Sequence, residues 1–173
     1  RLDNIQQCIE QILEEEIEGD FIETGVWRGG GCIMMQGVLA AYGVVGRRVF
    51  VADSYKGLPE SDPAKYPADT GDTHHQEEFL VVSKDEVARN FKKYGLLDDQ
   101  VVFIEGWFEE SLPKAAIEKL ALLRLDGDMY SSSIQVLNCL YPKLVPGGYC
   151  IIDDYALKGC KKAVDDYRAQ HGI

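Results

Sequence analysis

From Asp3 onward, Ile5, Cys8, Ile9, Ile12, Leu13 and Ile17 return at helical spacing with polar residues between them, which predicts an amphipathic helix with one buried face. Asp3 and Gln6 stand as a capping-box-like start and Gly19 as a stop. The period then changes. Asp20 to Thr24 runs extended into Gly25, and after a glycine cluster Cys32 to Tyr42 is apolar on nearly every face, the pattern of a buried helix. Arg48 to Asp53 reads as a second strand, and the segment from Ser54 to about Gln76, holding Pro59, Pro63, Pro67, Gly57 and Gly71, is long for a connection and reads as a lid or functional loop. Ser83 and Glu86 form a capping box for a helix through Tyr94 that stops at Gly95. Gln100 to Glu105 is a third strand, and a helix near Pro113 to Leu120 leads to a fourth, Leu122 to Asp126. A helix follows from about Ser132 to Tyr141, Gly147 and Gly148 turn the chain, Tyr149 to Asp153 is a fifth strand, and a last helix starts near Gly159.

Short strands alternating with helices predict an α/β fold, a doubly wound parallel sheet with helices on both faces. In such sheets ligands bind beyond the carboxyl ends of the strands. With 173 residues, 46% of them hydrophobic, the chain has a core for one domain and too little for two. No apolar run approaches the roughly 20 residues of a membrane span. A net charge of −11 disfavours nucleic acid and anionic membrane as partners and favours a cation or cationic ligand. The five cysteines, Cys8, Cys32, Cys139, Cys150 and Cys160, form no C-x-x-C pair, so buried free thiols in a cytoplasmic protein are expected.

The first strand ends in Glu23-Thr24-Gly25-Val26-Trp27-Arg28-Gly29-Gly30-Gly31. Trp27 stands where a dinucleotide fingerprint needs glycine for approach to a pyrophosphate. Glu23 would repel phosphate and attract an ammonium, which suits S-adenosylmethionine better than NAD; the alternative is a turn that serves packing alone. Asp53, 22 positions after Gly31, stands near the spacing for a ribose-binding carboxylate, or caps the next turn. Gly106-Trp107-Phe108 could wall an adenine ring, or be core. Asp126-Gly127-Asp128 and Asp153-Asp154 end the fourth and fifth strands. Carboxylates converging there repel one another unless a cation sits between them, and hard oxygen donors favour Mg²⁺, with Mn²⁺ or Ca²⁺ as substitutes; taken singly, each Asp could instead cap the next helix. His74, His75 and His171 lack metal-ligand spacing, and His74 and His75 read as solvated loop residues.

Four segments in order, Ile22 to Gly30, Ala52-Asp53-Ser54 with Gly57-Leu58-Pro59, Leu123 to Tyr130, and Gly147-Gly148-Tyr149 with Ile152 to Tyr155, resemble the TylF/MycF/NovP group, the macrocin O-methyltransferase family. The resemblance covers essentially the whole chain. It departs at Ser131-Ser132-Ser133, where members commonly carry Glu-Ser-Thr, and at Lys56. It implies a Rossmann-like class I methyltransferase with strand order 3-2-1-4-5 over residues 1–173. Strands six and seven and a leading helical segment are not visible, so the domain is expected to be truncated at both ends. It also implies an enzyme that uses S-adenosylmethionine and Mg²⁺ to methylate a hydroxyl of a glycosylated small molecule, and a homo-oligomer is expected.

Carried onto matching positions, Asp126, Asp153 and Asp154 would bind the metal, with Asp126 also the general base. Glu23 and Gly25, with Thr24, Trp27 and Gly29 around them, would hold the methionine part and Asp53 the ribose; Ser54, and Gly106 and Trp107 from the aromatic reading above, complete the expected cofactor residues. Two other readings compete: an NAD-dependent oxidoreductase on the same sheet, and a non-catalytic S-adenosylmethionine-binding module. Trp27 opposes the first, as does Tyr155 with Lys158, one residue too close for a Tyr-x-x-x-Lys pair.

Overall fold

A computed structural model describes all 173 residues. Its five strands, β1 (Asp20–Thr24), β2 (Val49–Asp53), β3 (Val101–Glu105), β4 (Leu120–Leu125) and β5 (Leu144–Ile152), form one parallel sheet in the order β3-β2-β1-β4-β5. The helices are α1 (Leu2–Glu14), α2 (Gly30–Ala41), α3 (Lys84–Lys93), the single turn α4 (Phe108–Ser111), α5 (Tyr130–Leu140) and α6 (Lys158–His171). The order reverses direction between β1 and β4, and that switch point opens a crevice at the strands' carboxyl ends.

Both faces of the sheet are covered, which is why its central strands are buried on both sides and mostly apolar rather than alternating. Phe21, Val49, Val51 and Leu122 point to one side, against Ile5, Ile9 and Ile12 of α1, Met35 and Leu39 of α2 and Phe91 of α3. Ile22, Phe50, Leu123 and Leu125 point to the other, against Val136, Leu137 and Leu140 of α5 and Cys160 and Val164 of α6. Each of these side chains is nearly or wholly inaccessible, and at about 25 cal/mol per Å² their burial is the principal force holding the helices to the sheet.

Three local expectations change. Helix α1 begins at Leu2, so Asp3 falls inside its first turn and favours the helix through the dipole instead of capping it. The helix expected at Pro113 to Leu120 is absent: α4 and a 3₁₀ turn at Leu112–Lys114 come earlier, and Ala115 is already extended. The buried residues there, Leu112 and Ile117, lie five apart, a spacing that gives a helix no continuous apolar face. Gly147 and Gly148 do not end a turn ahead of a short strand. They lie within β5, opposite a register shift between Leu120 and Leu122, so the chain bulges without leaving the sheet. The capping of α3 is as expected, Ser83 Oγ accepting from Glu86 N.

The long segment after β2 is built of short 3₁₀ turns at Pro67–Asp69, His74–Gln76 and Glu78–Leu80. It is tied down at both ends of the crevice. Buried Asp69 accepts from Tyr130 N at 2.7 Å and Ser131 N at 2.9 Å, capping α5 from sixty-one residues away, and Trp27 Nε1 donates to Phe79 O at 2.9 Å. No helix is long and apolar enough to cross a membrane, and all five cysteines are free.

Candidate active site

Beyond β1, β2 and β4 lies a cavity of about 480 Å³, within the range that encloses a small cofactor or substrate. Of the residues expected to hold a cofactor, it is lined by Gly25, Trp27, Asp53, Ser54, Gly106 and Trp107, and of the acidic residues by Asp126, Asp128 and Asp154. Gly25 is what lets the two groups meet. Its φ is +82°, and a Cβ there would fall 1.7 Å from the Asp126 carbonyl oxygen, so any side chain would push β1's turn off the end of β4.

The expected cofactor residues divide into those that face the cavity and those that build its wall. Asp53 does both. Its Oδ2 accepts from Val26 N at 2.8 Å and its Oδ1 from Tyr55 N at 2.7 Å, clamping the turn after β1 to the turn after β2. Burial raises its pKa and these backbone donors oppose that shift. Trp27 is held at φ +45°, a strained conformation for a bulky residue, and its ring stays half exposed over the cavity mouth. Glu23, Thr24 and Gly29 do not reach the cavity. Glu23 is 2% exposed and its carboxylate accepts from Cys32 N at 2.8 Å and from Cys32 Sγ at 2.9 Å. A Cβ on Gly31 would press on that carboxylate at 2.4 Å, so a glycine is required behind it. Glu23 thus braces the first turn of α2 from inside.

The acidic residues divide as well. One oxygen from each of Asp126, Asp128 and Asp154 can be chosen so that all lie within 4.8 Å of one another. Asp153 points elsewhere: its Oδ1 meets Arg124 Nη2 at 2.8 Å and its Oδ2 meets Arg1 Nη1 at 3.0 Å. The alternation of β5 explains this, because adjacent residues at a strand end face opposite ways. Asp128 therefore stands where Asp153 was expected to complete the trio, and it does so at φ +54°, a strained conformation for a residue with a side chain. Burial, with the charges of Asp154 and Asp153, pushes Asp126 up to about 8, against the pull of Arg124. Burial and Asp154 push Asp128 up to about 6, partly offset by His74. His74 is exposed and pairs with Asp72 at 2.9 Å, which raises its pKa.

Chemically, the corner is a set of hard oxygen donors with more negative charge than its protein partners neutralise, and it fits a divalent cation of the Mg²⁺ type better than a thiolate- or imidazole-binding metal. Two of its features escape a reading of the residues in order. Asp69 gives no local sign that it caps α5, since the partnership spans the whole loop. Arg124 does give one, as the single charge within Leu-Ala-Leu-Leu-Arg-Leu of β4, a buried strand where an ionised side chain needs partners.

Comparison with known proteins identifies relatives over the whole chain. The family profile described as Macrocin-O-methyltransferase (TylF) matches residues 1–173. Mycinamicin III 3''-O-methyltransferase of Micromonospora griseorubida is 49% identical over 176 residues, covering 100% of this chain and 69% of that protein. The 8-demethyl-8-(2,3-dimethoxy-alpha-L-rhamnosyl)-tetracenomycin-C 4'-O-methyltransferase of Streptomyces olivaceus is 49% identical over 174 residues, covering 100% of this chain and 67% of that protein. The solved structure of the O-methyltransferase NovP superposes with a TM-score of 0.97 at 50% identity, over 100% of this chain and 72% of that one.

Proposed function

Since the chain belongs to the macrocin O-methyltransferase (TylF) family and is an S-adenosylmethionine-dependent O-methyltransferase, we propose that it methylates a hydroxyl on the sugar of a glycosylated small molecule with the help of Mg²⁺. One observation carries this reading: the acidic trio opens into the same cavity as Gly25, Asp53 and Trp107, so a cofactor and a hydroxyl acceptor would meet there. The relatives' acceptors, one of them a rhamnosyl compound by name, support the sugar. The free cysteines support a reducing, cytoplasmic setting, and assembly into a homo-oligomer is part of the same reading.

Gly25 and Trp27 would border the methionine part, Asp53 and Ser54 the ribose, and Trp107 the adenine. Bound there, S-adenosylmethionine would supply a methyl carbon whose transfer to oxygen breaks a C–S bond and releases a neutral thioether, while the cation would stabilise negative charge on the acceptor oxygen. Asp126 and Asp154 are the residues best placed to hold the cation, and Asp153 would serve them through Arg124.

Proton removal falls to Asp126, whose carboxyl pKa is raised by burial and by Asp154. The Asp128 carboxylate takes no donor from the protein and faces the same cavity, beside Asp126 and Asp154. The test is methyl transfer from labelled S-adenosylmethionine to a panel of glycosylated acceptors, with Mg²⁺ and with excess chelator. Transfer that needs both a sugar hydroxyl and Mg²⁺ is expected; full activity in chelator would overturn the cation's part, and transfer only to non-glycosylated acceptors would overturn the substrate class.

A further inference from the structure

Arg124 is 5% exposed in the middle of an apolar strand. Removing a guanidinium from water is strongly unfavourable unless carboxylates in good geometry offset it. Three do so here, each from a different strand end. Nη1 donates to the Glu23 carboxylate near the end of β1 and to Asp126 Oδ2 just beyond β4, the latter at 2.8 Å; Nη2 meets Asp153 Oδ1 just beyond β5 at 2.8 Å. The sheet's register dictates the set. Arg124 is paired with Glu23 across β1 and β4 and with Ile151 across β4 and β5, and Asp126, two residues on, falls on the same face.

The two contacts of Nη1 lead in opposite directions. Glu23 passes on to Cys32 N at the start of α2, behind the turn that carries Gly25 and Trp27 to the cavity. Asp126 passes on to the trio with Asp128 and Asp154. A single planar fork therefore fixes how Asp126 is presented to the cavity and ties that orientation to the cofactor turn. Lysine could supply the charge but not the fork, because its ammonium is a point charge without fixed donor directions.

We propose that Arg124 is a positioning residue: it holds Asp126 in the orientation that receives the divalent cation and couples that site to the cofactor turn through Glu23. The inference rests on the cation reading above, and it separates from simple electrostatics. As a nearby positive charge Arg124 would only weaken cation binding, so neutralising it would tighten the site; as a positioner, its loss weakens the site.

Calorimetric titration of the full chain with MgCl₂, and with S-adenosylhomocysteine with and without MgCl₂, tests this. Arg124→Lys is expected to bind Mg²⁺ at least about tenfold more weakly than the unmodified protein. Its S-adenosylhomocysteine affinity without Mg²⁺ should stay within about threefold, and the effect of Mg²⁺ on that affinity should be lost. The charge-neutral pair Glu23→Gln with Arg124→Gln guards against a variant that fails to fold, and weaker Mg²⁺ binding is expected there too. Equal or tighter Mg²⁺ binding in either folded variant would overturn the positioning role, even with a lowered Tm. Absence of Mg²⁺ binding in the unmodified protein would instead overturn the cation reading on which it stands.

Discussion

The turns after β1 and β2 and the corner after β4 and β5 place the same residue type at equivalent strand ends, and the surroundings give them opposite characters. Glu23 is engaged by Cys32 N and by Arg124, and Asp53 by Val26 N and Tyr55 N. Asp126, Asp128 and Asp154 face one another, and only Asp126 has a cationic partner, Arg124, at 2.8 Å. The first region is satisfied as it stands and works as scaffold. The second carries uncompensated charge, and that charge marks where an external cation or proton would act. An acidic side chain at a strand end thus says little until its donors are counted.

The largest effects should separate the two regions cleanly. Asp126→Asn is expected to lower methyl transfer by about 10³-fold while the protein stays folded and binds S-adenosylhomocysteine within about threefold of the unmodified protein. Glu23→Gln should do the reverse, costing roughly 3 kcal/mol of stability in chemical denaturation because Arg124 loses a buried counter-charge. If Glu23→Gln left stability intact and Asp126→Asn unfolded the protein, the assignment of scaffold and reactive corner would be inverted.

A smaller effect tests how the corner is held. Asp69→Ala removes the acceptor for Tyr130 N and Ser131 N, and a loss of about 2 kcal/mol is expected, with faster amide exchange at the start of α5 than in α2. Uniform exchange in both helices would mean that Asp69 does not pin the loop to the corner.

The smallest and most diagnostic effect is on pH. Asp126 is raised to about 8 and Asp128 to about 6 from an ordinary value of 3.8, so between about pH 4 and pH 8 the folded, cation-free protein binds more protons than the unfolded chain. Its stability should therefore fall as pH rises through that window. Thermal unfolding in chelator should show this decline and Mg²⁺ should flatten it.

The sheet was legible because the apolar periods of β1 to β4 and of α1, α2, α3 and α5 are set by burial on both faces, which the chain records locally. What escaped was set by distant partners. The bulge in β5 answers a register shift in β4, and α4 ends early because Leu112 and Ile117 do not share a helical face. In the site, Gly25, Asp53 and Trp107 could be read from motif and spacing, since their place beyond a strand end follows from topology. That Asp128 lies against Asp126 and Asp154 while Asp153 pairs with Arg124 could not, because it depends on which neighbour takes up the guanidinium. The second part played by Glu23 was hidden for the same reason: only the packing of Cys32 and Arg124 against it shows that it braces the turn from inside.

The central claim is that the corner beyond β4 and β5 holds one divalent cation and the turns beyond β1 and β2 hold none. Titration with MgCl₂ followed by calorimetry, on the unmodified protein and on Asp126→Asn, tests it most directly. One Mg²⁺ per chain in the unmodified protein, abolished by Asp126→Asn, is the predicted result; a Mg²⁺ stoichiometry and affinity that survive Asp126→Asn would contradict it.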